Sequence, residues 1–143
     1  MRYSKIIVVI QARVKSKRLP DKALLKLNGK PSIVRMVNRI KESKLINEIW
    51  IATGKCKTND PLVKLFKNKN VNVFRGDDKD VLSRYAEIIK ISGADVVVRL
   101  TGDCPLTDHH IMDKAISLLQ KKEVDYVSNI INRTYPDGLD VEV

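Results

Sequence analysis

Cysteine is scarce in this chain: Cys56 and Cys104 are the only two in 143 residues, and they share no CxxC spacing. Two are too few for a disulfide framework, and the spacing excludes the usual paired-thiolate zinc site, so a reducing compartment suits the chain. Long apolar runs are also missing. None approaches the roughly eighteen residues that cross a bilayer, and the short apolar stretch near the N-terminus lacks a signal peptide's cleavage site. The expectation is a cytoplasmic protein with no membrane partner. Neither GxxxxGK(S/T) nor GxGxxG occurs, which argues against the common ATPase and dinucleotide-binding readings. There is no internal repeat and no low-complexity tract.

What is present is a hydrophobic content of 43%, enough for one domain with a real core, taken as residues 1–143. The formal net charge of +10 is unevenly placed: residues 1–50 hold 13 Lys and Arg against 3 Asp and Glu, and the remainder holds 14 of each. A nucleic-acid binder could concentrate charge this way, and so could a protein that grips a nucleotide polyphosphate near its N-terminus. The segment from Gln11 to Lys22 carries five of these cations and the hydroxyl of Ser16. A turn between core elements gains nothing from repeated like charges, so the segment reads as a polyphosphate grip.

Periodicity supplies the frame. The β-branched run Ile6 to Ile10 suits a strand buried on both faces. Ile33, Val34, Met36, Val37 and Ile40 recur at helical spacing over Ser32 to Ser43, with Pro31 just ahead. Glu48 to Thr53 fits a second strand. Asn59-Asp60-Pro61 offers a cap for a helix reaching about Asn68, and Val71 to Phe74 fits a third strand. Asp77, Asp78 and Asp80 precede a helix carrying Val81, Leu82, Tyr85, Ile88 and Ile89 and ending near Gly93; Asp95 to Leu100 is a fourth strand. Asp108 caps a helix with Ile111, Met112, Ala115, Ile116, Leu118 and Leu119, and a fifth strand is expected at Asp125 to Ser128. This βαβαβαβαβ order predicts an α/β fold, a three-layer α/β/α arrangement on a mostly parallel, Rossmann-like sheet. Tyr135-Pro136-Asp137-Gly138 reads as a turn. Leu139 to Val143 starts another strand with no closing element, so the expectation is the N-terminal part of a longer catalytic domain.

Open parallel sheets bind ligands beyond the carboxyl ends of their strands, where strand order reverses. In a 3-2-1-4 order that crevice lies between strands one and four. The basic segment leaves strand one, and Thr101-Gly102-Asp103-Cys104-Pro105 leaves strand four. Nucleotidyl transfer needs this pairing, because Mg²⁺ must bridge a carboxylate and phosphate oxygens while Lys or Arg neutralises the α-phosphate and the leaving pyrophosphate. Asp103 is the first metal candidate, although spacing alone leaves it equally a turn cap. Cys104 reads as a half-buried bystander, and Trp50 as strand packing. His109 and His110, adjacent at a helix start, are expected to point apart and share no ion.

Four separated motifs then occur in order: Gln11-Ala12-Arg13, Ser16, Arg18-Leu19-Pro20 and Lys22 with Gly29-Lys30-Pro31; Asp80-Val81-Leu82-Ser83-Arg84-Tyr85; Arg99 to Leu106; and Tyr135 to Val143. Together they resemble the sugar cytidylyltransferases, the acylneuraminate and 3-deoxy-manno-octulosonate enzymes, and most of all the branch named for spore-coat polysaccharide biosynthesis. The resemblance implies the nucleotide-diphospho-sugar transferase fold and transfer of CMP from CTP to a sugar acceptor, with Mg²⁺ as cofactor and pyrophosphate released. By position it implies that Arg13 and Lys22 contact the triphosphate, with Lys22 stabilising charge at the α-phosphorus and Ser16, Lys17 and Arg18 in support. It implies that the backbone at Ile10 to Ala12, including Gln11, faces the cytosine edge, and that Ser83 and Arg84 reach the base or ribose. Thr101 stands where the octulosonate enzymes have Gln, so base selection turns on that position. Asp140 is implied as an acceptor or second metal contact. Family members run well beyond residue 143, so the resemblance also implies a homodimer for the full-length protein and a fragment here that binds nucleotide without turnover. Two alternatives stay open: another nucleoside triphosphate used on a sugar or polyol phosphate, and a non-catalytic basic module for RNA or DNA.

Overall fold

The computed structural model describes residues 3–16 and 19–143. Lys17 and Arg18, two of the expected phosphate contacts, lie outside the described residues. Strand β1 (Ile6–Gln11) is followed by a two-residue hairpin, β2 (Lys26–Leu27) and β3 (Lys30–Pro31), and then by α1 (Ser32–Ile40). Next come β4 (Glu48–Gly54), a 3₁₀ turn at Lys57–Asn59, α2 (Asp60–Phe66), β5 (Asn72–Gly76), α3 (Val81–Ser92), β6 (Val96–Thr101) and α4 (His109–Lys122).

Strands β5, β4, β1 and β6 form one parallel sheet in that order, the expected 3-2-1-4 arrangement. Strand β1 is central because its five apolar residues are all buried, three facing one layer of helices and two the other. Ile6, Val8 and Ile10 pack with residues of α1, α2 and α4, whereas Ile7 and Val9 pack with Tyr85 and Ile88 of α3. The α/β/α layering is therefore lopsided, with three helices on one face and one on the other. Burying a side chain such as Ile10 or Phe66 completely contributes roughly 1.5–3 kcal/mol relative to exposure, and the larger face holds most of these.

The expected fifth strand is a correction. Residues 125–128 do not extend the sheet; the position beside β6 goes to the C-terminal residues, in antiparallel sense. The Arg99 amide donates to the Glu142 carbonyl at 2.7 Å, and Val127 and Val143 exchange amide-to-carbonyl bonds of 2.9 and 2.8 Å outside them. The apolar content explains the choice. Val141 and Val143 alternate and are buried in the larger core, whereas Tyr126 is 53% exposed. Arg99 and Glu142 add an ion pair at 2.6 Å across this junction.

The β2–β3 hairpin also goes beyond the periodicity reading. Asn28 and Gly29 both have positive φ, 47° and 80°, the arrangement of a type I′ turn, which Asn-Gly favours. Asp108 caps its helix as expected, accepting the His110 amide at 2.8 Å, and at the start of α3 Asp80 accepts the Ser83 amide at 2.9 Å. Replacing an N-cap Asp with Ala typically costs about 1 kcal/mol, so Asp108→Ala should lower the urea midpoint by a corresponding amount without changing the slope.

Asn59 is different. It has helical backbone angles and caps nothing; its side chain instead accepts the Val14 amide at 3.0 Å and donates to the Gly54 carbonyl at 3.3 Å. It is a buried strut between the basic segment and the end of β4.

Candidate active site

A cavity of about 630 Å³ opens at the carboxyl ends of the strands. Three connections build it. The one after β1 supplies Gln11, Ala12, Arg13, Ser16 and Lys22; the one after β5 supplies Asp78, Lys79 and the start of α3; the one after β6 supplies Thr101, Gly102 and Asp103. Its size falls within the roughly 300–1,000 Å³ of small-molecule sites.

The basic segment is shaped by what it buries. Ala12, Val14 and Ala23 sink into the core, Val14 is tied to Asn59, and the Asp21 amide donates back to the Val14 carbonyl at 3.1 Å. Arg13 is left exposed at the cavity. Lys22 is anchored by its backbone, whose carbonyl accepts the Ser32 hydroxyl at 2.9 Å, so the start of α1 sets where its side chain emerges.

Across the cavity, Gly102 holds the β6 connection against the end of β1. Its amide donates to the Gln11 carbonyl at 2.9 Å. The result is contact: Lys22 Nζ lies 2.8 Å from Asp103 Oδ2. The expected convergence of the cation-rich turn and the acidic residue is present in the structure.

Lys22 lowers the pKa of Asp103 below its ordinary 3.8, partial burial works against it, and the Thr101 hydroxyl assists. A depressed carboxyl contributes stability above its unfolded value and loses it as pH falls through the folded value. At 37% and 45% side-chain exposure the pair is worth at most about 1 kcal/mol. Asp103→Asn should therefore cost under about 1 kcal/mol at pH 7, and nothing once the pH is well below 3.8, as read from paired urea titrations.

Several other expected residues take different places. Gln11 and Ala12 line the cavity, but two of their backbone groups are already bonded, the Gln11 carbonyl to Gly102 and the Ala12 amide to the Ala52 carbonyl at 3.1 Å. Arg84 lines the cavity yet is 6% exposed, and its Nη1 donates to the Asp77 carbonyl at 2.8 Å, bracing the loop before α3. Ser83 does not reach the cavity, because its hydroxyl turns back to the Asp80 carbonyl at 3.0 Å. Asp140 does not line the cavity; it is paired with Arg133 at 2.7 Å and lies near enough to Cys104 to act on its thiol. Thr101 lines the cavity, with its Oγ1 3.4 Å from Cys104 Sγ. His109 and His110 do not point apart: their ring centroids are 3.9 Å apart, and with Asp108 they place three donor atoms within 4.8 Å of one another.

Asp78, read from the sequence only as an acidic residue ahead of a helix, and Gly54 were not expected at the site. Asp78 lines the cavity, and its carboxylate accepts the Cys56 amide at 3.2 and 3.1 Å. A Cβ on Gly54 would fall 1.8 Å from Asp78 Oδ1, so only glycine permits this approach. The available signal was position: Asp78 follows β5, whose carboxyl end lies on the same edge of the sheet as those of β1 and β6.

A second depression of about 310 Å³, at the amino ends of β4 and β5, is polar but internally satisfied. Its carboxylate, Glu48, pairs with Lys5 and accepts from Trp50 Nε1 at 2.8 Å.

The model of the cytidylyltransferase family matches residues 7–136. The chain belongs to the cytidylyltransferase family. Among its relatives, an uncharacterized protein of Methanocaldococcus jannaschii is 46% identical over 129 residues, covering 89% of this chain and 53% of its own length. A spore coat polysaccharide biosynthesis protein of Bacillus subtilis is 33% identical over 125 residues, covering 85% and 52%. Among solved structures, a cytidylyltransferase from Leptospira borgpetersenii superimposes with a TM-score of 0.92 at 34% identity, covering 96% of this chain and 59% of that one. This cytidylyltransferase chain thus spans about half the length of the curated relatives it matches. Among its described residues, no helix is long and apolar enough to cross a membrane.

Proposed function

We propose that the protein to which this chain contributes transfers a cytidylyl group from CTP to a sugar, releasing pyrophosphate, in the synthesis of a cell-surface polysaccharide. One observation carries the reading: Lys22 and Asp103, from separate connections, meet at 2.8 Å inside a cavity that Arg13 and Ser16 also line. Such a cavity offers cations to a polyphosphate and a carboxylate to a hard cation. In-line attack by a sugar hydroxyl on the α-phosphorus calls for positioning and charge neutralisation rather than covalent help from the protein. Lys22 carries the neutralising charge beside the α-phosphate, and Arg13 and Ser16 hold the leaving phosphates.

The donor set fits Mg²⁺. Asp103 is an ionised carboxylate open to the cavity, and Mg²⁺ characteristically takes one or two carboxylates, substrate phosphates and waters. When bound, Mg²⁺ would offset the negative charge of the phosphates. Asp103 would hold it, while Asp140, bonded to Arg133, is not needed for the first contact.

Calorimetry tests the reading. CTP should bind in the presence of Mg²⁺, and Asp103→Asn should remove the metal-dependent part. UTP and ATP titrated alongside decide the base, and equal binding of all three would replace the CTP assignment with a less selective nucleotidyltransferase. Absence of binding by any of them would overturn the site.

A further inference from the structure

The same ion pair that identifies the site also sets a conflict within it. Lys22 and Asp103 are assigned to different parts of a metal–triphosphate complex, yet without one they satisfy each other. Resting on the cytidylyltransferase reading above, we propose that this pair is a latch that makes metal and triphosphate binding interdependent: the ammonium of Lys22 occupies the metal's carboxylate until a polyphosphate draws it away.

The geometry divides the two residues into fixed and movable parts. The Lys22 backbone is tied to Ser32, and the Asp103 backbone follows Gly102, which is bonded to Gln11. The long lysine side chain is the movable part, with its charged end in the open cavity. Arg13 is exposed at the same cavity and, among the described residues, has no ion-pair partner. A polyphosphate therefore meets Arg13 and Lys79 first, the two cavity-lining cations without an ion-pair partner among the described residues. Once seated beside Lys22 it competes with Asp103 for the ammonium and offers several oxygens against one carboxylate. The freed carboxylate of Asp103 would then be open to hold a divalent cation, which would offset the charge of the phosphates. In the nucleotide-free chain a cation must displace Lys22 unaided, so metal alone binds weakly. The groups beside the pair are Thr101, whose hydroxyl favours the ionised Asp103, and Cys104, whose Sγ lies 3.7 Å from Asp103 Oδ1; Arg13 and Lys79 line the same cavity, and among the described residues lining it the other carboxylate is Asp78, occupied by the Cys56 amide.

The test separates metal from nucleotide. Mn²⁺ is titrated into the nucleotide-free chain and followed by the paramagnetic resonance of the free ion, in a His109→Ala, His110→Ala background that removes the neighbouring imidazoles. Lys22→Met should tighten Mn²⁺ binding about two- to fivefold, the scale of a partly exposed ion pair. Lys22→Arg, which keeps a cation beside Asp103, should show little of this gain, and Asp103→Asn should abolish the site in either form. An Mn²⁺ affinity unchanged or weakened by Lys22→Met overturns the latch, as does a gain that survives Asp103→Asn. CTP binding with metal, measured separately, bears on the cytidylyltransferase reading alone: wild type binding CTP while Lys22→Met leaves Mn²⁺ untouched would remove the latch and keep the site.

Discussion

On the proposed cytidylyl transfer, Lys22→Met is expected to lower turnover by about 100- to 1,000-fold, the loss found when one preorganised donor to a developing charge is removed. In the transition state, negative charge accumulates on the transferring phosphoryl oxygens and on the departing pyrophosphate. A fixed cation there acts more strongly on the transition state than on bound CTP, so kcat should fall much more than KM rises. The placement of Lys22 supports this division. Its backbone is held by Ser32, its charged end lies in the cavity, and Asp103, the carboxylate proposed to hold the metal, lies 2.8 Å from it. Methionine keeps the length and apolar stem and removes only the charge. Lys15→Met provides the comparison, because Lys15 sits on the same basic segment, is exposed and does not line the cavity. It should leave kcat nearly unchanged. Equal losses in both variants would mean that the segment acts by its overall charge, and the assignment to Lys22 would fail.

How far the sequence carried this picture depended on which signals were local. Ile6 to Ile10 announced a central strand because burial on both faces leaves no polar position to alternate. The strand order and the meeting of Lys22 with Asp103 followed from topology, since right-handed crossovers and the switch point constrain where connections end. Pairings between distant residues had no such signal. The pairing of Asp140 with Arg133 had no local signal, and Asn59 looked like a cap until its side chain was found spanning Val14 and Gly54. The misplaced fifth strand has the same origin. Residues 125–128 and 141–143 both favour extended backbone, and only burial of Val141 and Val143 decides which lies against β6. The close, tilted approach of His109 and His110 likewise depends on side-chain rotamers at the first turn, which residue spacing does not encode.

Gly102→Ala is expected to cost about 1–3 kcal/mol of stability, as overpacking does, and to weaken metal-dependent CTP binding at the same time. The residue has no special backbone angle to protect; what it protects is space. A Cβ there would lie 2.8 Å from the Ala12 Cβ, 3.2 Å from the Gln11 carbonyl oxygen and 3.4 Å from Ile33 Cδ1. The first distance is too short to tolerate, and the two nearest atoms, the Ala12 Cβ and a backbone oxygen, cannot swing aside; only Ile33 Cδ1 is a side-chain end. The β6 connection must therefore move off the end of β1, stretching the 2.9 Å bond from the Gly102 amide to Gln11 and carrying Asp103 away from Lys22. Displacements near 1 Å in a catalytic constellation can cost about 100-fold in rate, so the functional loss should exceed what destabilisation alone produces at 25 °C. The contact also names its remedy. Ala12→Gly deletes the closest atom, so the double variant Ala12→Gly, Gly102→Ala should regain part of both the urea midpoint and the CTP affinity, a coupling that a double-mutant cycle reads directly. A single variant as stable as wild type, or a double variant no better than the single, would show that the two connections are not held together by this close approach.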